Sequence, residues 1–165
     1  MRILRWAGIT VGALVGALLL VGFLARFLDG PIGPIGGGPL ESGDLVAETG
    51  IDWTFATDFR EMEFQLVASE RSRTTWLLVR NGELFIPCGL PNSFVKQWPQ
   101  EAMTDGRSIL RIAGKRYELA AVRVTEPEAF AALSRIVAEK YGMAIEDPPP
   151  QDDLWFFRMD PRQAN

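Results

Sequence analysis

The chain reads as a mostly β domain, a β-barrel with helical additions, carried behind an N-terminal transmembrane helix. Three observations predict this. Residues 6–25 form a run of 20 without a single charge. Beyond residue 60 the apolar pattern turns to a period of two, broken at Asn81-Gly82 and Ala113-Gly114-Lys115 by residues that close hairpins. Residues 125–142 then carry the start and stop signals of one amphipathic helix.

The apolar run comes first. At about 1.5 Å per residue it reaches roughly 30 Å, the thickness of a bilayer's hydrocarbon core. Arg2 and Arg5 precede it, which argues for an N-terminus inside and a domain outside. The expected place is the inner (cytoplasmic) membrane, single-pass, with the domain periplasmic or extracellular. The rival is a cleaved signal peptide, whose apolar core is shorter and whose cleavage site wants small residues; cutting after Ala25 would put Phe23 where a small residue belongs. Retention as an anchor over residues 1–28 is the better reading. Gly8, Gly12 and Gly16 fall on one helix face, a spacing that lets a second helix, or a second copy of the chain, approach closely; glycine is also simply common in such helices.

Residues 29–43, DGPIGPIGGGPLESG, read as an irregular Pro/Gly linker holding the domain clear of the headgroups. Residues 44–165 are left for one domain with one core. Beyond residue 43 the chain has 14 basic and 19 acidic residues, so a surface that binds nucleic-acid phosphates is disfavoured. There is no histidine, which removes imidazole bases and histidine-ligated zinc. Cys88 is the only cysteine, so no intrachain disulfide or thiolate metal cluster can form. No metal site is expected.

Within the domain, Met62, Phe64 and Leu66 alternate with Glu63, Gln65 and Val67, a strand with one wet face. A hairpin follows, with strands over 74–80 and 83–88; the contiguous Trp76, Leu77, Leu78 and Val79 predict a strand covered on both sides. Residues 97–104 suit a short helix stopped by Asp105-Gly106. The second hairpin pairs 108–112 with 116–124. Its return strand changes phase between Ala121 and Val122, which predicts a bulge or bend near Ala120. Thr125 and Glu128 have the spacing of a capping box with Pro127 in the first turn. Phe130, Leu133, Val137 and Tyr141 then line one face, and Gly142 suits the C-terminal cap. Residues 148–150 are three prolines, and 154–159 read as a last strand sending Trp155 and Phe157 into the core.

This order of elements, with TTWLLVRNGELFIPC (74–88), SFVKQW (93–98) and RSILRIAGKRYELAAVRVTEPEAF (107–130), resembles the flavin-binding split β-barrel superfamily, which includes pyridoxamine-phosphate-oxidase-like and deazaflavin-dependent nitroreductase-like proteins. The resemblance implies a six-stranded barrel with one main C-terminal helix and an FMN or deazaflavin in a groove beside it. The positions it points to for cofactor binding are Arg71, Arg73, Thr74, Thr75, Ser93 and Lys96 around a phosphate, with Trp98 stacking on the ring. Guanidinium forks suit phosphate, and a lysine adds a point charge.

Plainer readings stand beside these. Arg71 and Arg73 also suit a solvated edge paired to Glu61 or Glu63. Lys96 also suits a plain surface position. Trp98 also suits a plug over the barrel mouth. Cys88 reads as a small buried hydrophobe. Glu146-Asp147 and Asp152-Asp153 read as solvated loop charges. Arg111, Lys115, Arg116 and Arg123 cluster on the second hairpin, where they suit either anionic headgroups or plain solubility. Two functions follow: a membrane-anchored flavin- or deazaflavin-dependent oxidoreductase, or a non-catalytic envelope domain that binds a ligand or a protein.

Overall fold

The computed structural model describes residues 2–48, 50–89, 96–144 and 150–162. Helix α1 (Arg2–Ala25) carries no charged residue beyond Arg5. Its stretch Gly8–Ala25 has mean hydropathy 2.3 and is 6% buried, long and apolar enough to cross a membrane. After it come β1 (Asp44–Val46), a tight 3-10 turn at Trp53–Ala56, β2 (Glu61–Leu66), β3 (Arg71–Trp76), β4 (Leu78–Arg80) and β5 (Glu83–Gly89). Helix α2 (Trp98–Thr104), β6 (Arg107–Ile112), β7 (Lys115–Arg123), α3 (Pro127–Tyr141) and β8 (Leu154–Pro161) complete the chain.

The strands are ordered β3-β2-β6-β7-β8-β5-β4, and every neighbouring pair is antiparallel. The two ends of that order, β3 and β4, are one strand bent at Leu77. The sheet therefore closes on itself as a six-stranded barrel, split where β3 leaves β5 unpaired. The expected mostly β architecture, with an apolar helix before it and one main helix behind, is what the chain adopts. The short parallel β1 beside β7 has no counterpart in the sequence reading.

Alternation explains both cores. Met62, Phe64, Leu66, Leu84, Ile86, Leu110, Leu119, Trp155 and Phe157 point into the barrel. Leu78, Phe85, Leu154 and Phe156 point the other way and are covered by Phe130, Leu133 and Val137 of α3. The strand that reads as buried on both sides is so at Leu77 and Leu78, both 0% exposed, whereas Trp76 is 39% exposed. The phase change in β7 needs no bulge: its ladders to β6 and β8 run in unbroken register. Val122 simply stays exposed, and Val124 leaves the barrel to join the cluster under α3. Nor does Thr125 cap α3. Glu126 takes the cap position without a side-chain bond to the helix, and its carboxylate accepts from the Thr125 N–H at 3.1 Å. Gly142 closes the helix at φ 67° as expected.

Both hairpins turn on two residues with positive φ, the conformation that matches strand twist. Asn81 and Gly82 suit it. Ala113, at φ 51°, does not, because a Cβ in left-handed backbone costs about 1–2 kcal/mol. Lys115, expected in that turn, begins β7 instead. Ala113→Asn is therefore expected to stabilise the domain by about 0.5–1 kcal/mol. A denaturant midpoint that stays put or falls would show that Ala113 carries no such strain.

The linker departs most from expectation. It is irregular but held along much of its length, not a free tether. Gly37 exchanges both backbone bonds with Ser72, covering the free edge of β3. Ser72 Oγ donates to Gly38 O at 2.6 Å, and Leu40, 2% exposed, donates its N–H to the buried Gln65 Oε1 at 2.7 Å. Gln65, read as part of a wet face, is dry because the linker lies over it. Glycine here serves close approach more than flexibility. A Cβ on Gly37 would collide with the Gly30 carbonyl, and one on Gly38 with those of Arg26 and Leu28. Arg111 and Arg116, which the sequence offers to headgroups or solvent, hold this segment. Arg111 pairs with Asp29 at 2.8 Å and with Glu63, and Arg116 donates to Leu40 O and Gly43 O, each at 3.1 Å.

Candidate cofactor cleft

Register divides the candidate residues of β3. Arg71, Arg73 and Thr75 stand opposite Leu66, Phe64 and Met62, on the inward face. Thr74 lies on the other face and donates to Gly33 O at 2.9 Å. No ion pair joins Arg71 or Arg73 to Glu61 or Glu63 among the described residues, since Glu63 is taken by Arg111. Instead the Arg73 guanidinium lies 5.7 Å over the Trp98 ring, a cation–π distance. Its Nε is sealed from solvent with no hydrogen-bond partner among the described residues. Burial lowers the Arg73 pKa, the nearby Glu101 carboxylate opposes this, and Arg71 adds to it. Arginine still keeps its charge, so this is a largely desolvated cation with no paired anion among the described residues.

Trp98 is fixed by its place at the start of α2, with Pro99 in the first turn. It is 5% exposed, edge-on to Phe64 at 5.2 Å and tilted against Phe157 at 5.1 Å. The ring closes one end of the barrel and offers no open face for stacking. Lys96, just before it, donates to Gly89 O at 2.6 Å. Cys88 is buried, and desolvation pushes its thiol up to about 11 although Lys96 and Arg73 pull it down. It is a protonated thiol at neutral pH, not a nucleophile. Ser93, Glu146 and Asp147 lie outside the described residues. Arg123, from the basic cluster, lies 3.7 Å over the Trp155 ring.

The split itself forms a cleft of about 750 Å³. One wall is the free edge of β3 (Thr74, Thr75 and Trp76), with Glu61 beside it. Pro87, Gly89, Lys96 and Leu154 form the facing wall, Val137 and Met143 the floor near the end of α3, and Gly33 and Pro34 of the linker a shoulder. Of the candidate residues, Thr74, Thr75 and Lys96 therefore meet in one cleft. Arg73 and Trp98 sit behind it in the barrel, and Arg71 stands at the exposed start of β3. The aromatic that does line the cleft is Trp76, stacked parallel on Tyr141 at 4.2 Å and 6°. The sequence hid it inside an apolar run. No group of three or more metal-binding side chains gathers among the described residues.

No protein-family model matches the chain, and no curated protein matches it. Among solved structures, one described as an F420 reductase superposes with a TM-score of 0.46 at 9% identity, over 71% of this chain and 97% of that one. A likeness of that degree assigns no activity to this chain.

Proposed function

We propose that the cleft in the split barrel takes a planar, phosphate-bearing redox cofactor, FMN or a deazaflavin, and that the chain is a membrane-anchored oxidoreductase. The observation that carries this is the pairing of an apolar cleft of flavin-holding size with a half-exposed indole on its wall and, behind it, a half-buried guanidinium whose sealed Nε bonds no described residue. Trp76 is the packing surface for the ring, its orientation held by the stack on Tyr141. Thr75, whose hydroxyl bonds no described residue, and Lys96 stand where a phosphate would be met. Arg73 adds charge from the inner side. Such a cofactor supplies two-electron, hydride-type chemistry when bound; the chain's own part is to orient it and exclude water with Val137, Met143 and Leu154.

The anchor completes the proposal. Residues 6–25 sit in the lipid bilayer of the inner membrane with the N-terminus inside, and the domain works on the periplasmic or extracellular side. Nothing lies within 4 Å of a Cβ built on Gly8, Gly12 or Gly16, which leaves that face open to a partner helix or a second copy. A second reading, a non-catalytic ligand- or protein-binding envelope domain, is favoured by one feature: Glu61 and Lys96 are the only ionisable side chains lining the cleft among the described residues.

Full-length protein in detergent micelles, titrated with FMN and with a deazaflavin, tests the proposal through the cofactor's fluorescence. Saturable binding is expected for one of them, weakened about tenfold by Arg73→Met through loss of a charged contact. Cofactor bound without substrate-dependent reduction would favour the second reading. No binding of either would end the cofactor proposal.

A further inference from the structure

A second cavity, of about 510 Å³, opens at the opposite end of the barrel and shares no lining residue with the cleft. It is made by the Trp53–Ala56 turn, by β1, and by the ends of β7 and β8. The turn is locally encoded. Asp52 caps it by accepting from the Thr54 N–H at 2.9 Å, and the Trp53 N–H donates to Gly82 O of the first hairpin at 2.9 Å. Trp53 is thereby driven under the barrel, edge-on to Tyr117 at 4.8 Å and stacked with Phe55 at 5.7 Å.

Trp53 and Tyr117 are each 4% exposed, and both line the cavity. Neither the indole N–H nor the phenol hydroxyl hydrogen-bonds to a described residue. Trp155 Nε1 is orphaned by being sealed in, but these two groups border open space. The two residues are buried but their polar tips are not sealed, so both groups are open to polar atoms of a molecule held against these walls. Val46, Leu119 and Met159 supply apolar wall. The rim is acidic, with Glu48, Glu83, Glu118 and Asp160 against Arg158 and Arg162. Asp160 is paired with Arg158 at 2.6 Å, and Glu118 with Arg162 at 3.2 Å. Glu48 and Glu83 form no ion pair among the described residues.

We propose that this cavity is a second small-molecule site, selective for an amine with an aromatic or apolar body. Glu48 and Glu83 meet the ammonium, the aromatic rings pack against the body, and the Tyr117 hydroxyl and Trp53 N–H bond its polar substituent. The opposite charge is disfavoured because both guanidinia are ion-paired, Arg158 to Asp160 and Arg162 to Glu118, with Arg162 Nε left as a donor that bonds no described residue. The site is independent of the cofactor cleft and stands whether or not that cleft binds a flavin.

Isothermal titration calorimetry on the full-length chain in micelles tests this with three probes of one shape: tyramine, neutral p-cresol and the anionic hydroxyphenylpropionate. Tyramine is expected to bind saturably at one per chain, p-cresol about tenfold more weakly, and the anion not at all. The double variant Glu48→Gln/Glu83→Gln should bring tyramine down to the p-cresol level. Tyr117→Phe should weaken tyramine about tenfold without lowering the melting temperature, because its hydroxyl bonds no described residue. No saturable heat with any probe would mean that the cavity holds water alone and would overturn the proposal. So would an anion bound as well as the amine, or tyramine affinity unchanged in Tyr117→Phe.

Discussion

Tyr141→Phe is expected to cost the domain about 2–4 kcal/mol, although it removes one oxygen and leaves every ring contact in place. The reason lies at Leu77, where β3 ends and β4 begins. Leu77 is 0% exposed, and the bend takes its backbone out of both ladders. The Tyr141 hydroxyl stands in for the missing strand. It accepts from the Leu77 N–H at 3.1 Å and shares its own proton between Leu77 O at 2.8 Å and Arg60 O at 2.7 Å. Without it a buried donor and a buried acceptor lose their partners, each worth roughly 1–3 kcal/mol. The stack on Trp76 survives in the phenylalanine variant, so the measurement isolates the hydroxyl. Burial pushes the Tyr141 pKa up, against the pull of the Leu77 bond and Arg60, so the phenol keeps its proton at neutral pH. Denaturant unfolding of the two proteins is the check. A loss below about 1 kcal/mol would show that the bend at Leu77 is held by something other than this hydroxyl.

That bend marks the limit of what the sequence discloses. The hairpins were legible because Asn81-Gly82 and Ala113-Gly114 are local signals, and the barrel interior because period-two alternation survives in Phe64, Leu84, Leu110 and Phe157. Leu77 and Leu78 looked like a strand covered on both faces, and they are. The sequence could not show that the covers differ, one being the barrel and the other α3. For the same reason Trp76 vanished into the apolar run, and Trp98 read as either a stacking face or a plug, of which it is the plug. Side-chain type says that an aromatic is present; only closure of the sheet says which one faces a cleft. The basic cluster shows this in charge. Arg111 and Arg116 sit near one another in sequence, but their roles depend on a linker whose composition reads as disorder. Gly37 and Gly38 permit carbonyl approach there, which no compositional rule distinguishes from flexibility.

The linker's attachment is itself testable, and Arg111 is where it should fail. The guanidinium is 12% exposed and bridges Asp29 of the linker to Glu63 of β2. Arg111→Met keeps the stem's packing but strips the charge, leaving two partly buried carboxylates facing each other; about 2–3 kcal/mol is the expected loss, tempered because both acids keep some water. The damage should be local first. Backbone hydrogen exchange at Gly37 and Gly38, whose N–H groups bond Ser72 O and Leu28 O, should quicken well before the barrel strands respond. Acid should mimic the substitution. Burial alone would raise the Asp29 pKa, but hydrogen bonds from the Ser42 hydroxyl, the Glu41 N–H and Arg111 outweigh it and hold the carboxyl far below its usual range. A carboxyl depressed in the folded state contributes stability above its unfolded pKa of about 3.9 and loses it as pH falls below that. Protection at Gly37 and Gly38 should therefore be flat from neutral pH to about 5 and fall as the pH drops below about 4. In Asp29→Asn it should be lower throughout and lack that step. Protection of these two amides that is indifferent to pH, or unchanged by Arg111→Met, would mean that the linker is held by Leu40 and Ser72 alone.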